Sequence, residues 1–457
     1  MTKRIFAALI TALFLLTCFS VAAIAQPKKA KKLASDGDKF FKQKNYQAAI
    51  DKYAQAIVLA PNFAGAYFSK GKAHYYLNQY DESIEALTAA LAQGYEKPLD
   101  IYDLRWSLYY QKKDYDAALS DLQQAIKLNP SNASYSRNLG DIYFGKQQWR
   151  DALNAYKASI QPNRADPDVY YFIAFSHYRL GETAEQELAA SDAVKNGTKY
   201  LGESYFLTGD AQQKTRKFDD AVKSYQNALN AKADIYEAYV NLSDLYRSQN
   251  RFKDAIDTAN KGLSLFPNDG NLYVSLSWYY SLADRHQDAV NAGLQAVRLA
   301  PQNSLGYTNL CRAYNDMKQY QQAIQTCNNA LKINPNDGET NFYLGRAHDF
   351  INKPDLATKY YDKAVTGLLE FTRNNPDYSD GFYLLGNAYY ADRQKDKAIE
   401  AYKKCLQLSP RFAKARYNLG IIYLSNGNVN GANQQYEELK KIDPTTAEKL
   451  KQAIDKK

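Results

Sequence analysis

The chain has 457 residues, a formal net charge of +9 and a hydrophobic content of 45%. This length is sufficient for a large core or several domains, and the apolar content excludes a disordered chain. The chain has 40 tyrosines but only 22 glycines and 13 prolines, which is typical of a helical protein with short, similar connections.

The first 25 residues have the pattern of a secretory signal peptide. Lys3 and Arg4 precede an apolar run over 5–16, and 23–25 read Ala-Ile-Ala, a small-residue cleavage site. We therefore predict that 1–25 are removed and that the protein is exported, to the periplasm or outside the cell, including a peripheral position at the envelope. Loss of Lys3 and Arg4 lowers the net charge by two, to +7.

Two other fates of the N-terminus stay open. A retained membrane anchor is disfavoured, because the small residues at 23–25 suit cleavage. A lipid anchor on Cys18 is also disfavoured, because Thr17 stands where the lipidation motif prefers Gly, Ala or Ser. No later run approaches the ~20 apolar residues of a spanning helix, so we expect no integral span after cleavage. The basic cluster at 28–32 is interpreted as a solvated helix entry rather than a membrane contact, and nothing indicates a nucleic-acid groove.

A period of 34 residues runs along the rest of the chain. Pro267, Pro301 and Pro335 are each 34 residues apart, and so are Pro410 and Pro444. Alignment on these prolines predicts one solenoid over 26–446, with a C-terminal capping helix over 447–457. Its twelve repeats start at Ala30, Ala64, Leu99, Ala133, Pro167, Gly202, Tyr236, Gly270, Ser304, Gly338, Ser379 and Ala413.

Within each repeat the spacing of small and aromatic residues is helical. Position 8 is small in eleven of the twelve repeats, position 20 is Ala in ten, position 27 is small in eleven, and position 11 is aromatic or His in eleven. Closely packed helices need small residues at their nearest approach and large ones beside it. Each repeat is therefore predicted to be two antiparallel helices joined by a short polar turn.

This pattern resembles the tetratricopeptide repeat family, whose motif W-x2-L-G-x2-Y, A-x3-F-x2-A and Pro is matched by the twelfth repeat. The resemblance implies an all-α fold, a right-handed superhelical solenoid in which each repeat packs only on its neighbours. The matching residues are Leu419, Gly420, Tyr423, Ala432, Tyr436 and Pro444.

The sequence offers no catalytic constellation. His74, His177 and His348 occupy position 11 and His286 position 17, where other repeats have aromatic residues, so we interpret all four as packing residues. No metal-ligand, phosphate-loop or nucleophile motif is present. We expect a protein that is not an enzyme and that uses no cofactor and no metal.

The resemblance also implies that positions 2, 5, 9, 12 and 13 of the first helices line a concave groove. Aromatic side chains with a polar rim at these positions favour recognition of another protein or peptide, although some rings could instead extend the core. Four aspartates, Asp141, Asp210, Asp244 and Asp349, stand at these groove positions as well. The candidate partner-binding residues are Phe68, Lys72, Tyr75, Tyr110, Arg137, Phe144, Tyr171, Phe175, Tyr178, Phe206, Trp278, Arg312, Phe342, Arg346, Tyr383, Tyr390 and Tyr417.

The leading hypothesis is a non-catalytic scaffold of the cell envelope that binds a peptide segment or a folded partner along this groove. Self-assembly or a role in assembling an envelope complex is one alternative, and carbohydrate binding on the aromatic rings is another. Some family members bind a partner's terminal carboxylate through Lys, Asn and Arg on three consecutive repeats. The first repeat has Ala34 and Asp38 where the Lys and Asn would be needed, so this carboxylate clamp is not predicted here.

Two local features stand out from the period. The tenth repeat is seven residues longer, which predicts a second helix extended by about two turns through 366–372 and protruding from the stack. This extension is either a contact for a partner, in place of the groove, or a local cap over a wider turn. In the ninth repeat, Cys311 at position 8 and Cys327 at position 24 are expected at equal height on paired helices. They are either small core residues or an intra-repeat disulfide, while Cys405 is expected to be a buried free thiol.

Overall fold

The computed structural model describes residues 28–160 and 166–456. The predicted signal peptide and Cys18 lie outside these residues. The described part of the chain is all-α and contains no β-strand, which confirms the predicted fold class. None of its helices is both long and apolar enough to cross a bilayer.

The helices fall into two compact regions, which we call the N-terminal region (described residues up to Lys199) and the C-terminal region (from Tyr200 onward). In each region consecutive helices pack as antiparallel pairs, and each pair packs on the next. The N-terminal region contains α1 (28–42), α2 (Tyr46–Leu59), α3 (Ala64–Tyr76), α4 (Tyr80–Ala92), α5 (Pro98–Gln111), α6 (Tyr115–Leu128), α7 (Ser134–Gly145), α8 (Trp149–Ser159), α9 (Pro167–Leu180) and α10 (Thr183–Lys195).

The C-terminal region continues the same alternation and ends on a single helix, α25. This helix buries Ala447 and Leu450, and Leu450 lies over Gly420 of α23. The region contains α11 (Leu201–Lys214), α12 (Phe218–Ala231), α13 (Tyr236–Ser248), α14 (Phe252–Leu265), α15 (Gly270–Leu282), α16 (His286–Leu299), α17 (Ser304–Asp316), α18 (Tyr320–Ile333), α19 (Gly338–Phe350), α20 (Pro354–Asn374), α21 (Ser379–Ala391), α22 (Lys395–Leu408), α23 (Ala413–Ser425), α24 (Val429–Lys440) and α25 (Pro444–Asp455).

The small residue at position 8 sets how closely the two helices of a repeat approach. In several repeats it is a glycine that lies directly under a tyrosine ring at position 24. A methyl group on Gly140 would lie 2.5 Å from the Tyr156 ring, and one on Gly345 would lie 2.8 Å from the Tyr361 ring. Both distances are too short for carbon atoms, so only glycine fits this spacing.

The turn between the two helices of each repeat has one recurrent backbone feature. The residue at position 15 has a left-handed conformation in all twelve predicted repeats, although only Gly181 and Gly427 are glycines there. Two of the non-glycine examples are Lys318 (φ 61°) and Asn352 (φ 55°). The amide after this residue donates to the carbonyl at position 11, which satisfies an exposed helix end.

The ninth repeat departs from the glycine–tyrosine contact, because its positions 8 and 24 form a disulfide. Cys311 and Cys327 are bonded, and both are fully buried. Of the two interpretations left open by the sequence, the structure therefore has the covalent one. Cys405 is a buried free thiol, as expected, and burial raises its pKa well above the ordinary value.

The additional seven residues of the tenth repeat lie within one helix. Helix α20 has 21 residues, against 14 for most second helices, so the predicted extension is confirmed. The prediction that it protrudes is wrong for one of its faces, because Leu368 and Thr372 are buried. Gly367 passes so close to Gly338 that a methyl group on it would lie 2.4 Å from the Asn336 carbonyl oxygen, so the extension packs over the start of α19.

Candidate partner-binding groove

The C-terminal region closes on itself through a salt bridge between distant repeats. Arg247 at the end of α13 donates from Nη1 to Asp380 at the start of α21, at 3.0 Å and a separation of 133 residues. Two further contacts span a similar distance along the chain: the Asn250 amide donates to the Arg411 carbonyl, and Lys414 lies 3.8 Å from Asp284. The first helices from α13 to α23 are therefore brought around a common groove.

Arg247 is held as a charged group although it is almost completely buried. Burial alone would lower its pKa, but the carboxylates of Asp380 and Asp244 outweigh this effect and hold the pKa well above its ordinary value. Its guanidinium carbon lies 4.2 Å from the centre of the Trp278 ring. The cation, two carboxylates and indole therefore fix one another before any ligand is bound.

Two adjoining cavities lie in this groove, with volumes of about 290 Å³ and 600 Å³. They share a wall formed by Trp278, Arg312, Asp380 and Leu384. Cavities of this size suit several side chains of a bound peptide. We call them the smaller and the larger cavity.

The Arg312 side chain is the central member of the shared wall. Its guanidinium lies 5.7 Å from the Trp278 ring centre and 5.2 Å from that of Tyr343, and Nη2 donates to Glu339. Its Nε is buried and has no hydrogen-bond partner among the described residues. Two aromatic rings and one carboxylate therefore hold the Arg312 guanidinium, and its buried Nε–H has no acceptor among the described residues.

The smaller cavity carries two more cations. Arg346 donates to Asp316 at 3.2 Å, while the only ion pair of Lys414 in the described chain is the long one to Asp284. Burial lowers the pKa of Lys414. The amide side chains of Asn387 and Asn418 complete a polar floor.

Five of the predicted groove residues meet in the C-terminal region, where they line the smaller cavity. Two of them, Phe342 and Arg312, are buried, which limits their contact with a partner. The other two predicted residues of the last repeats, Tyr390 and Tyr417, line neither cavity. The five that line the smaller cavity are Trp278, Arg312, Phe342, Arg346 and Tyr383.

In the N-terminal region the predicted aromatic residues pack mainly on one another. Phe144 contacts the rings of Trp149 and Phe175, with centres 5.3 Å apart in both cases, and Phe175 contacts Tyr171 and Tyr178. These rings are only partly accessible, so their packing role competes with recognition. The other predicted residues of this region also contact neighbouring side chains. Phe68 stacks on Tyr95, Lys72 lies over Phe41 and Phe68, and Tyr75 contacts Tyr76. Tyr110 contacts Trp106 and Tyr115, and Arg137 pairs with Asp141 and Asp166.

The predicted residue Phe206 lies in the C-terminal region, where it contacts Tyr225.

Several residues of the groove were missed by the sequence analysis although their positions gave a signal. Asp380 and Lys414 are at position 2, Asn387 is at position 9 and Arg247 is at position 12, all of which were predicted to face the groove. The seven-residue insertion was the signal for the α20 extension, but nothing in the sequence indicated that Phe371 of this extension lines the larger cavity.

The histidines do not form a site. His74 and His177 hydrogen-bond through Nδ1 to Gln79 and Glu182, and His348 stacks on Tyr360 with ring centres 5.4 Å apart. In the part of the chain that the structure describes, no group of three His, Cys, Asp or Glu side chains is arranged to hold a metal ion.

Curated relatives match part of the chain at low identity. The DnaJ homolog subfamily C member 7 homolog of Dictyostelium discoideum is 24% identical over 47% of this chain, and the Hsp70-Hsp90 organizing protein 2 of Arabidopsis thaliana is 23% identical over 42%. The chain spans about two fifths of the length of each, 40% in both cases.

Among solved structures, the crystal structure of the yeast Tom70 is 18% identical, with 93% of this chain and 94% of that chain covered and a TM-score of 0.38. The crystal structure of the Cut9-Hcn1 hetero-tetramer of the APC/C is 15% identical, with 95% and 98% covered and a TM-score of 0.38.

Several models of one repeat family match along the chain. Those described as TPR repeat match 37–77, 107–147 and 140–181, and those described as tetratricopeptide repeat match 64–92, 206–270, 304–337, 379–412 and 401–435. Together they cover more than half of the residues. The chain belongs to the tetratricopeptide repeat family.

Proposed function

We propose that the protein is a non-catalytic interaction scaffold that binds a segment of another protein in the groove of its C-terminal region. The observation that carries this proposal is the pair of adjoining cavities walled by Trp278 and Arg312. Both side chains are fixed by stacking and ion pairs in the absence of a partner, so little side-chain entropy is lost on binding. Aromatic and arginine side chains held in this way are the usual energetic centres of protein interfaces.

The names of the relatives support a protein partner. One is named as an organizer of Hsp70 and Hsp90, and it shares the repeats rather than its full length with this chain. We therefore take from it the class of partner, a protein, and not the partner's identity.

The setting we propose is the cell envelope, after export. Two independent features support it: the signal-like segment 1–25 and the buried disulfide between Cys311 and Cys327. Disulfides form and persist in oxidising compartments such as the periplasm. Sequencing the N-terminus of protein from the host's periplasmic fraction should give a start at Gln26. Full-length protein found only in the cytoplasm would contradict the export proposal.

The binding proposal is tested by capture from the host with the full mature chain, followed by mass spectrometry and titration of the identified partner. Trp278→Ala should weaken the partner's affinity by about tenfold or more, because a central aromatic contact is lost. Lys414→Ala is a second groove variant that removes only a long ion pair and so should not affect folding.

Phe218→Ala is the matched control, since this aromatic side chain is 40% exposed, lies on a second helix and lines neither cavity. If both groove variants bind the partner as well as this control does, the groove is not the binding site.

A further inference from the structure

The larger cavity is built partly by the additional two turns of α20. Gly367, Leu368, Glu370 and Phe371 of the extension all line it. The buried face of the extension, on Leu368 and Thr372, fixes the helix against the neighbouring repeats. Its other face therefore presents Glu370 and Phe371 to the cavity as a rigid wall.

Exposed apolar side chains converge on this cavity. Leu305 is 51% exposed, Phe371 41% and Tyr378 37%, and all three line it together with Trp278. Single exposed apolar residues are ordinary on a protein surface, whereas several around one concavity mark a binding site for an apolar group. The amide side chains at its edge, such as Asn336, can bond the main chain of an extended segment.

The charge of the larger cavity is negative. Among the described residues that line it, the only cationic side chain is Arg312, which is neutralised by Glu339, and Asp380 is neutralised by Arg247. Asp337 accepts the Thr340 amide at 2.9 Å as the helix cap of α19 and has no cationic partner in the described part of the chain. The Glu370 carboxylate is exposed and has no ion pair or hydrogen bond within the described residues. Two carboxylates, Asp337 and Glu370, are thus left without a cation.

The geometry points to a partner of defined chemistry: an extended peptide segment with a large apolar side chain next to a lysine or arginine. The apolar side chain enters between Trp278, Leu305 and Phe371, and the basic group pairs with Glu370. An acidic segment is disfavoured here because it would face two uncompensated carboxylates. This inference rests on the proposed function in one respect, that the partner is a protein.

The test is selection of a phage-displayed library of random nonapeptides on the full mature chain. Peptides retained by the wild type should be enriched about threefold or more in Lys and Arg, each with a neighbouring large apolar residue. Selection on Glu370→Lys should lose the basic enrichment. The matched control is Glu448→Lys, which makes the same charge change at an exposed site on α25 and should select the same peptides as the wild type.

The strongest selected peptide is then titrated by fluorescence anisotropy. Glu370→Lys should weaken it by about fivefold, with a smaller effect at high salt, because one exposed ion pair becomes a repulsion. Phe371→Ala should weaken it by about tenfold through loss of apolar contact. Phe371 also packs on Tyr378, so the helicity of this variant is compared with that of the wild type by circular dichroism.

Three outcomes would overturn the inference: no peptide retained, enrichment in acidic or uncharged peptides, or equal selection by Glu370→Lys and Glu448→Lys. A self-associating wild type that becomes monomeric on Glu370→Lys would also overturn it, since the occupant would then be a second copy. In each case the proposed function is judged separately, by whether Trp278→Ala and Lys414→Ala still lose the partner captured from the host.

Discussion

The ninth and tenth repeats join their two helices at the same pair of repeat positions, 8 and 24, by different chemistry. In the tenth, Gly345 lies under the ring of Tyr361, and in the ninth, Cys311 is bonded to Cys327. The glycine–ring contact is non-covalent packing and forms in any cellular compartment, whereas the disulfide requires oxidation of two thiols. The comparison shows that the family's helix spacing does not depend on one side-chain pair, provided that the pair fills the same narrow gap.

Removing the disulfide between Cys311 and Cys327 should lower the local stability of its repeat more than any other change proposed here. Cys311→Ala with Cys327→Ala is expected to lower the free energy of opening of α17 and α18 by about 3 kcal/mol, the chain-entropy value for a loop of this length. The measurement is hydrogen exchange of the amides of these two helices, since repeat arrays open locally.

The control for this variant is Cys405→Ala, which removes a buried sulfur but no cross-link and should cost about 1 kcal/mol. A third variant, Cys311→Gly with Cys327→Tyr, introduces the contact of the tenth repeat and should be more stable than the double alanine. Equal exchange in the wild type and the double alanine would show that the bond contributes nothing.

The glycine–ring contact can be broken in the opposite way, by adding one methyl group. Gly345→Ala places it 2.8 Å from the Tyr361 ring, and the resulting overpacking should lower the free energy of opening of α19 by about 1–3 kcal/mol. The measurement is hydrogen exchange of α19 and α20.

Gly306→Ala is the matched control, also within a helix, where the nearest atom would be 3.5 Å away. There the better helix propensity of alanine should stabilise α17 by up to about 1 kcal/mol. If the two substitutions have the same sign, the close approach at Gly345 does not set the helix spacing.

The smallest expected effect concerns the turn that both repeats share. Lys318 of the ninth repeat and Asn352 of the tenth both have positive φ, and both are exposed. Asparagine tolerates this conformation better than lysine. Lys318→Gly should therefore increase the free energy of unfolding by about 0.5 kcal/mol and raise the melting temperature slightly. Both increases should be larger than those caused by Asn352→Gly. The reverse order, measured by calorimetry, would show that strain in this turn is negligible.

The features predicted from the sequence are those that repeat or that depend on near neighbours. The period and the small residues at position 8 predict the helix pairs, because these contacts are made within one repeat. The 34-residue period also places Cys311 and Cys327 opposite each other on paired helices. It also predicts the length of α20, since additional residues in a helical pattern extend the helix.

What the sequence did not predict depends on small rotations that add up over several repeats. The pairing of Arg247 with Asp380 follows from how helices α13 to α21 turn, and no local pattern encodes that turn. The same reason explains why the extension of α20 was predicted to protrude, whereas Phe371 within it lines a cavity together with Trp278. The site residues chosen from the sequence remain predictions until a partner is titrated.

The salt bridge between Arg247 and Asp380 also changes how stability is shared among the repeats. In an open row of repeats, a disturbance passes only from one neighbour to the next and fades along the way. A bond between members 133 residues apart adds a direct link, so that α13 and α21 fluctuate as partners. The helices from α13 to α21 therefore interact in a closed cycle, and not only with their neighbours in sequence. We therefore expect a ligand that stabilises α13 to stabilise α21 as well, through this direct contact.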